Sequence, residues 1–196
     1  MKKILPLATG TAVLLVLLGV RLSGQKEPRG NAPIFSANNE LQKPGNYREW
    51  VWLSSGLGMS YGPAAQSAGR ANPPFDNVFV TPEAYRSFLQ TGTWPDKTMF
   101  VLELRSALTN GSINQQGHFQ GDLIGFEVEV KDERRFPGKW AFFDFRGPAV
   151  SAKALPESAT CYSCHAQNGA VDNTFVQFYP TLLEVAKQKG TLKNPQ

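Results

Sequence analysis

The chain has 196 residues, of which 41% are hydrophobic and 18% charged, with two cysteines, two histidines and a formal charge of +4. This is enough for one modest domain with a sizeable core, and too apolar for a disordered chain. Setting aside Lys2, Lys3 and Arg21 at the N-terminus leaves 17 basic against 16 acidic residues, a net charge of +1 that is no footprint for nucleic acid.

Met1-Lys2-Lys3 and the apolar run 4–20 have the charged start and hydrophobic centre of an export signal. Leu22-Ser23-Gly24 is a poor cleavage site, so residues 1–24 read as a signal peptide or as a retained N-terminal membrane anchor. Either fate puts the remainder outside the cytoplasm, in the periplasm or its equivalent. Residues 25–45, rich in Pro, Asn, Gly and charge, are expected to form a linker, and residues 46–192 the domain.

The run 50–53 has strand composition, and residues 54–63 break it with three glycines. Met59 lies in that break. Residues 75–80 are a second strand. Thr81-Pro82-Glu83 opens a helix with a capping threonine, a proline at the first helical position and an acid at the positive dipole end, and Gly92 closes it. Strands follow at 98–106, with Phe100, Leu102 and Leu104 on one side and Glu103 and Arg105 on the other, and at 123–131, with Ile124, Phe126, Val128 and Val130 alternating against Glu127, Glu129 and Lys131. That alternation predicts a sheet with one wet face. The aromatic run 139–145 predicts a strand covered on both faces, or one whose second face meets a flat apolar ligand. The fold class is therefore α+β: a predominantly antiparallel β-sheet with a few peripheral helices.

After a loop at 146–158 comes Cys161-Tyr162-Ser163-Cys164-His165, a C-x-x-C-H pattern that attaches c-type haem. Its two thiols are spaced for the two vinyl groups of one porphyrin, and the adjoining histidine for one axial site of the iron. A dithiol redox motif would lie in a βαβ unit, which is absent from the pattern here. A closed zinc site would have to use the neighbours Cys164 and His165 together with His118, and a plain disulfide leaves His165 without a role. One covalent haem c on Cys161 and Cys164, with His165 as proximal iron ligand, is the reading that uses all three. The motif leads into C-terminal helices, where Asp172 or Asn173 can cap, Phe175, Phe178, Leu182 and Val185 recur at helical spacing, and Pro180 kinks or divides the element. Small electron-transfer cytochromes place the motif early and take a later methionine as sixth ligand, whereas no methionine follows His165. Four-helix cytochromes c-prime have helical, not alternating, upstream sequence.

The stretches Asn46-Tyr47-Arg48-Glu49-Trp50, Phe79-Val80-Thr81-Pro82-Glu83-Ala84-Tyr85, Gly121-Asp122-Leu123-Ile124-Gly125, Trp140-Ala141-Phe142, the haem motif itself and Phe175-Val176-Gln177-Phe178-Tyr179-Pro180 are together similar to the cytochrome P-460 family, which includes the beta-sheet cytochromes c-prime. The resemblance runs from Asn46 to about Gly190. It implies an antiparallel β fold, haem held by Cys161, Cys164 and proximal His165, and a five-coordinate iron open to a small ligand. In members that oxidise hydroxylamine a lysine before the residues matching Glu103-Leu104 is linked to the porphyrin; here that position is Leu102. Leucine has no nucleophile, so Phe100, Leu102 and Leu104 are expected to form an apolar distal wall that favours nitric oxide or carbon monoxide.

The function expected is thus an exported mono-haem cytochrome that binds small ligands such as nitric oxide, with redox turnover open. The alternatives are an oxidoreductase acting on hydroxylamine or nitric oxide, and a plain electron carrier. His118, in a polar glycine-flanked segment, is expected to be an exposed loop residue, and Met59 a packing residue. The expected partners are a diatomic ligand or hydroxylamine and a redox protein, with a homodimer left open.

Overall fold

The computed structural model describes residues 30–60 and 72–193. The leader 1–24, the first five residues of the expected linker and the last three of the expected 54–63 break lie outside the described residues. Among the described residues no helix is long and apolar enough to cross a membrane.

Two-residue alternation in the middle of the chain gives five antiparallel strands in sequence order: β2 (Val51–Leu57), β3 (Phe75–Val80), β4 (Met99–Leu108), β5 (Phe119–Lys131) and β6 (Trp140–Asp144). β1 (Leu41–Gln42) and β7 (Ser151–Ala152) form a separate two-stranded ribbon. α1 (Pro82–Thr91) joins β3 to β4, and α2 (Thr160–Asn168) and α3 (Pro180–Lys189) end the chain. β2 continues past Gly56, the first of the glycines expected to break it, because Ser55 and Gly56 stay in register with Asn77 and Asp76; the chain leaves the ladder after Leu57, at the second, the left-handed Gly58.

Register decides what each face carries. β4 and β5 pair Phe100 with Glu129, Leu102 with Glu127 and Leu104 with Gly125, whereas Val101 meets Val128 and Glu103 meets Phe126. The apolar set of β4 singled out in the sequence therefore shares a face with the acidic set of β5. The face expected to be wet is instead partly covered by α2 and α3, and the opposite face is a core of Trp50, Phe79, Met99, Val101, Phe126, Val128, Val130, Phe143 and Phe145. Into that second core runs the segment expected to be a linker: Leu41 is fully buried in it, and Asn31 accepts a hydrogen bond from Trp50 Nε1 at 3.0 Å. A Leu-Gln pair able to join β7 outweighs the loop-like composition around it.

The remaining core joins α1, α3 and one end of the sheet through Phe88, Trp94, Phe100, Trp140, Tyr179 and Leu182. Of the two arrangements expected for the run 139–145, coverage on both faces is seen: Phe143 of β6 and Phe145 just beyond it lie in one core and Trp140 in the other. Gly92 ends α1 in the left-handed conformation, but Thr81 makes no side-chain capping bond. Pro180 does not kink the C-terminal element but divides it: a 3₁₀ turn ends at Phe178, and Pro180 begins α3, where its missing N–H costs nothing. Asp172 and Asn173 are not caps either. Both have positive φ in a tight turn between α2 and a 3₁₀ turn at Val176–Phe178.

Candidate functional site

α2 carries Cys161, Tyr162, Cys164 and His165, whose spacing puts them on one helical face, and all four are half-buried. Neither cysteine is in a disulfide. The helix lies against β6: Tyr162 meets Phe142 edge-on at 4.9 Å, and the His165 ring sits between Phe142 at 4.5 Å and Phe175 at 4.3 Å. Among the described residues no three His, Cys, Asp or Glu side chains converge to hold a metal ion by themselves.

The imidazole is fixed in orientation and in tautomer. His165 Nδ1 is 2.9 Å from the backbone carbonyl of Asn173, an acceptor only, so Nδ1 carries the proton and Nε2 keeps its lone pair. Glu129 Oε1 stands 3.4 Å from the same nitrogen, a longer contact, and this buried oxygen has no hydrogen-bond partner among the described residues. Burial pushes the Glu129 carboxyl up, and His165 works against that shift.

The carbonyl is delivered by the turn between Val171 and Thr174. Lys131 on β5 holds it through Asp172 at 2.7 Å while also donating to the Trp94 carbonyl, and Trp94 Nε1 donates to Thr174 Oγ1 at 2.8 Å. Gly169 makes the approach feasible, since a Cβ there would stand 2.6 Å from the Asn173 carbonyl carbon and 2.6 Å from the His165 oxygen. Gly169→Ala is accordingly expected to displace the turn and to cost about 2 kcal/mol. Denaturant unfolding checks the stability, and the iron–histidine stretching frequency of the haem-loaded protein checks the loss of the Nδ1 bond.

Facing α2 is the sheet surface built from Phe142 and Asp144 on β6, Glu127 and Glu129 on β5, Leu102 and Leu104 on β4, and Val78 and Asp76 on β3. Four strands span about 14 Å, a platform on the scale of a porphyrin. A lone-pair nitrogen aimed out of a helix, two thiols on the same helical face and an opposing broad half-apolar surface form a set that fits a haem.

The chain matches the family model for cytochrome P460 over residues 44–176. It belongs to the cytochrome P460 family. No curated protein matches it. Membership makes this a haem-binding cytochrome, and the matched span includes the whole sheet and the C-x-x-C-H helix.

For this cytochrome P460 the structure brings together Cys161, Cys164 and His165, and places Leu102 and Leu104 half-buried on the facing sheet. Phe100 shares their side of β4 but is nearly fully enclosed by Trp94, Trp140 and Tyr179. His118 is exposed just before β5, eleven residues from Glu129 and hence on the order of 30 Å from His165. Met59 is nearer: its sulfur occupies the space in front of Gly56, beside Asp76.

Sequence reasoning missed Asp76, Glu127, Glu129, Asn173 and Gly169. The carboxylates were legible as residues, but their face depends on the pairing of β4 with β5. The Glu127 carboxyl is raised by the chain around it and by Asp144, and the Asp76 carboxyl by burial and by Glu127, up to about 6. The Cys161 thiol is raised chiefly by burial and then by Glu127, which places the thiol and that carboxylate in one electrostatic neighbourhood.

Proposed function

We propose that this cytochrome P460 carries one c-type haem, bonded through Cys161 and Cys164 and held at the iron by His165 Nε2, and that its task is to bind a small ligand such as nitric oxide on the sheet-facing side. The haem supplies an iron with a site for that ligand. The observation that carries the reading is the His165 imidazole, committed at Nδ1 to Asn173 and alone at the site, since His118 is at the far end of β5. Phe142 and Phe175 hold the ring, and Leu102 and Leu104 offer no nitrogen or sulfur to compete with a diatomic ligand.

The absorption spectrum of the purified protein tests this. Ferric and ferrous forms are expected to be five-coordinate and high-spin, nitric oxide to bind the ferrous form, and both His118→Ala and Met59→Leu to leave the spectra unchanged. A six-coordinate low-spin spectrum that turns high-spin in Met59→Leu would make the protein an electron carrier instead.

A second reading is favoured by the carboxyls of Asp76, opposite Leu104, and Glu127, opposite Leu102. Withdrawal of electrons from hydroxylamine releases protons, which such groups can accept, while the electrons pass to a redox partner. Leu102 cannot form a lysine-type link to the porphyrin, so turnover would proceed without it; steady-state assay with an artificial acceptor decides this. We place the domain outside the cytoplasm, on the strength of the apolar run 4–20 and of the compartment in which two cysteines meet haem rather than a reducing pool.

A further inference from the structure

Two buried carboxyls lie on neighbouring strands, on opposite faces of the sheet, and the chain treats them oppositely. Glu103, fully buried, receives hydrogen bonds from Tyr47 Oη, from Arg48 at 2.6 Å, from Asn77 Nδ2 at 3.2 Å and from Arg105 Nε at 2.8 Å. Asp76 is 7% exposed, and among the described residues no donor reaches its carboxyl. Two donors adjoining it, Asn77 on β3 and Arg105 on β4, are spent on Glu103 and Gln120 across the sheet. A carboxyl this enclosed and without a donor needs a reason, because it keeps only a fraction of its solvation.

Register supplies the reason. Asp76 pairs with Gly56 on one side and with Leu104 on the other, which puts it on the platform facing α2. Its Oδ2 lies 3.5 Å from where a Cβ of Gly56 would be, and the Met59 thioether fills the adjoining space. Apolar cover and the charge of Glu127 both disfavour ionisation, so the proton stays on Asp76 up to about pH 6. The groups that share this face are Glu127 and, further along β5, Glu129, with Asp144 beyond them from β6; β4 presents only the apolar Phe100, Leu102 and Leu104, β2 presents Gly56 with Met59, and α2 presents Cys161 and His165, which the haem engages.

We propose that Asp76 is the hydrogen-bond donor of the ligand side, a protonated carboxyl that offers its O–H to the terminal atom of the small molecule bound at the iron. The inference rests on the ligand-binding reading above and narrows it. A neutral acid in an otherwise apolar setting favours ligands whose outer atom gathers negative charge, such as nitroxyl or dioxygen, over those with a neutral outer atom. Glu127 acts on Asp76 through its charge, which favours the protonated carboxyl.

Carbon monoxide is the probe, because its stretching frequency falls when a donor faces the oxygen and rises when a negative charge does. The reduced, haem-loaded full chain is saturated with carbon monoxide, and infrared spectra are recorded from pH 5 to 8 for the wild type, Asp76→Asn and Glu127→Gln. The wild type is expected to show a low-frequency band replaced by a high-frequency band, with a midpoint at or above pH 6. Asp76→Asn is expected to give a single band at every pH, and Glu127→Gln a titration that persists with a shifted midpoint. A wild-type band that does not move with pH overturns the proposal, as does a titration that survives in Asp76→Asn or vanishes only in Glu127→Gln. Failure to bind carbon monoxide, with a six-coordinate spectrum, overturns the ligand-binding reading and this inference together, and so is distinguishable from failure of the inference alone.

Discussion

Serine at both Cys161 and Cys164 is expected to leave a protein from which acidic organic solvent removes all the haem, whereas wild-type haem stays with the chain through denaturing electrophoresis. A hydroxyl does not form the thioether, and no third cysteine exists in the chain to replace it. The fold should survive, because both thiols are only half-buried and α2 buries no residue completely. The sheet keeps its two cores without them. His165→Gly is the companion variant: the haem stays covalently bound, the axial nitrogen is lost, and added imidazole is expected to restore the spectrum in the space between Phe142 and Phe175. If haem in the double serine variant resists extraction, attachment lies elsewhere and the site is wrongly placed.

Glu103→Ala is expected to have the largest effect on stability. Its carboxylate gathers Tyr47, Arg48, Asn77 and Arg105 on the face away from α2, so its loss takes the acceptor from four neutral or charged donors at once. Breaking a buried charge pair costs about 3–5 kcal/mol. Arg48 is half exposed and can turn to water, so the lower end, about 3 kcal/mol, applies, equivalent to roughly 10 °C in Tm for a chain of this size. Burial by itself pushes the Glu103 carboxyl up, but the hydrogen bonds from Arg105 and Tyr47 and the charges of Arg105 and Arg48 outweigh it, and the net direction is down. A depressed carboxyl contributes stability that is full above the ordinary glutamate range and is lost as pH falls through the lowered value. Denaturant unfolding of wild type and Glu103→Gln between pH 3 and 7 checks both points: the variant should be weaker at pH 7 and should lose less on acidification.

The two carboxyls Glu103 and Asp76 also show where sequence reading stops. Alternation in β4 put Leu102 and Glu103 on opposite sides, which is correct, and alternation in β5 separated Glu127 from Val128, which is correct too. What alternation within a strand does not contain is the offset between strands. With Leu102 opposite Glu127, the apolar side of one strand joins the acidic side of the next, and the face expected to be solvated on β4 becomes core. A one-residue slip would have reversed every such assignment. The same limit applies to Leu41, which composition put in a linker and a strand partner 111 residues later, Ala152, draws into the core.

The sequence by itself determined the local chemistry of this cytochrome P460. C-x-x-C-H is contiguous, and helical spacing brings its three functional side chains to one face without help from the rest of the fold. It also determined the five strands of the main sheet, the helix boundaries at Pro82, Gly92 and Gly190, and the α+β class, since each follows from periodicity or from the φ preferences of single residues. Tertiary structure alone decided what that helix faces. The Asn173 carbonyl reaches His165 only because Lys131 and Trp94 pin a turn that Gly169 allows to approach, and Asp76 reaches the platform only through the register of β2, β3 and β4. Those relations join residues far apart in the chain, and they are fixed by pairing and packing rather than by any local preference.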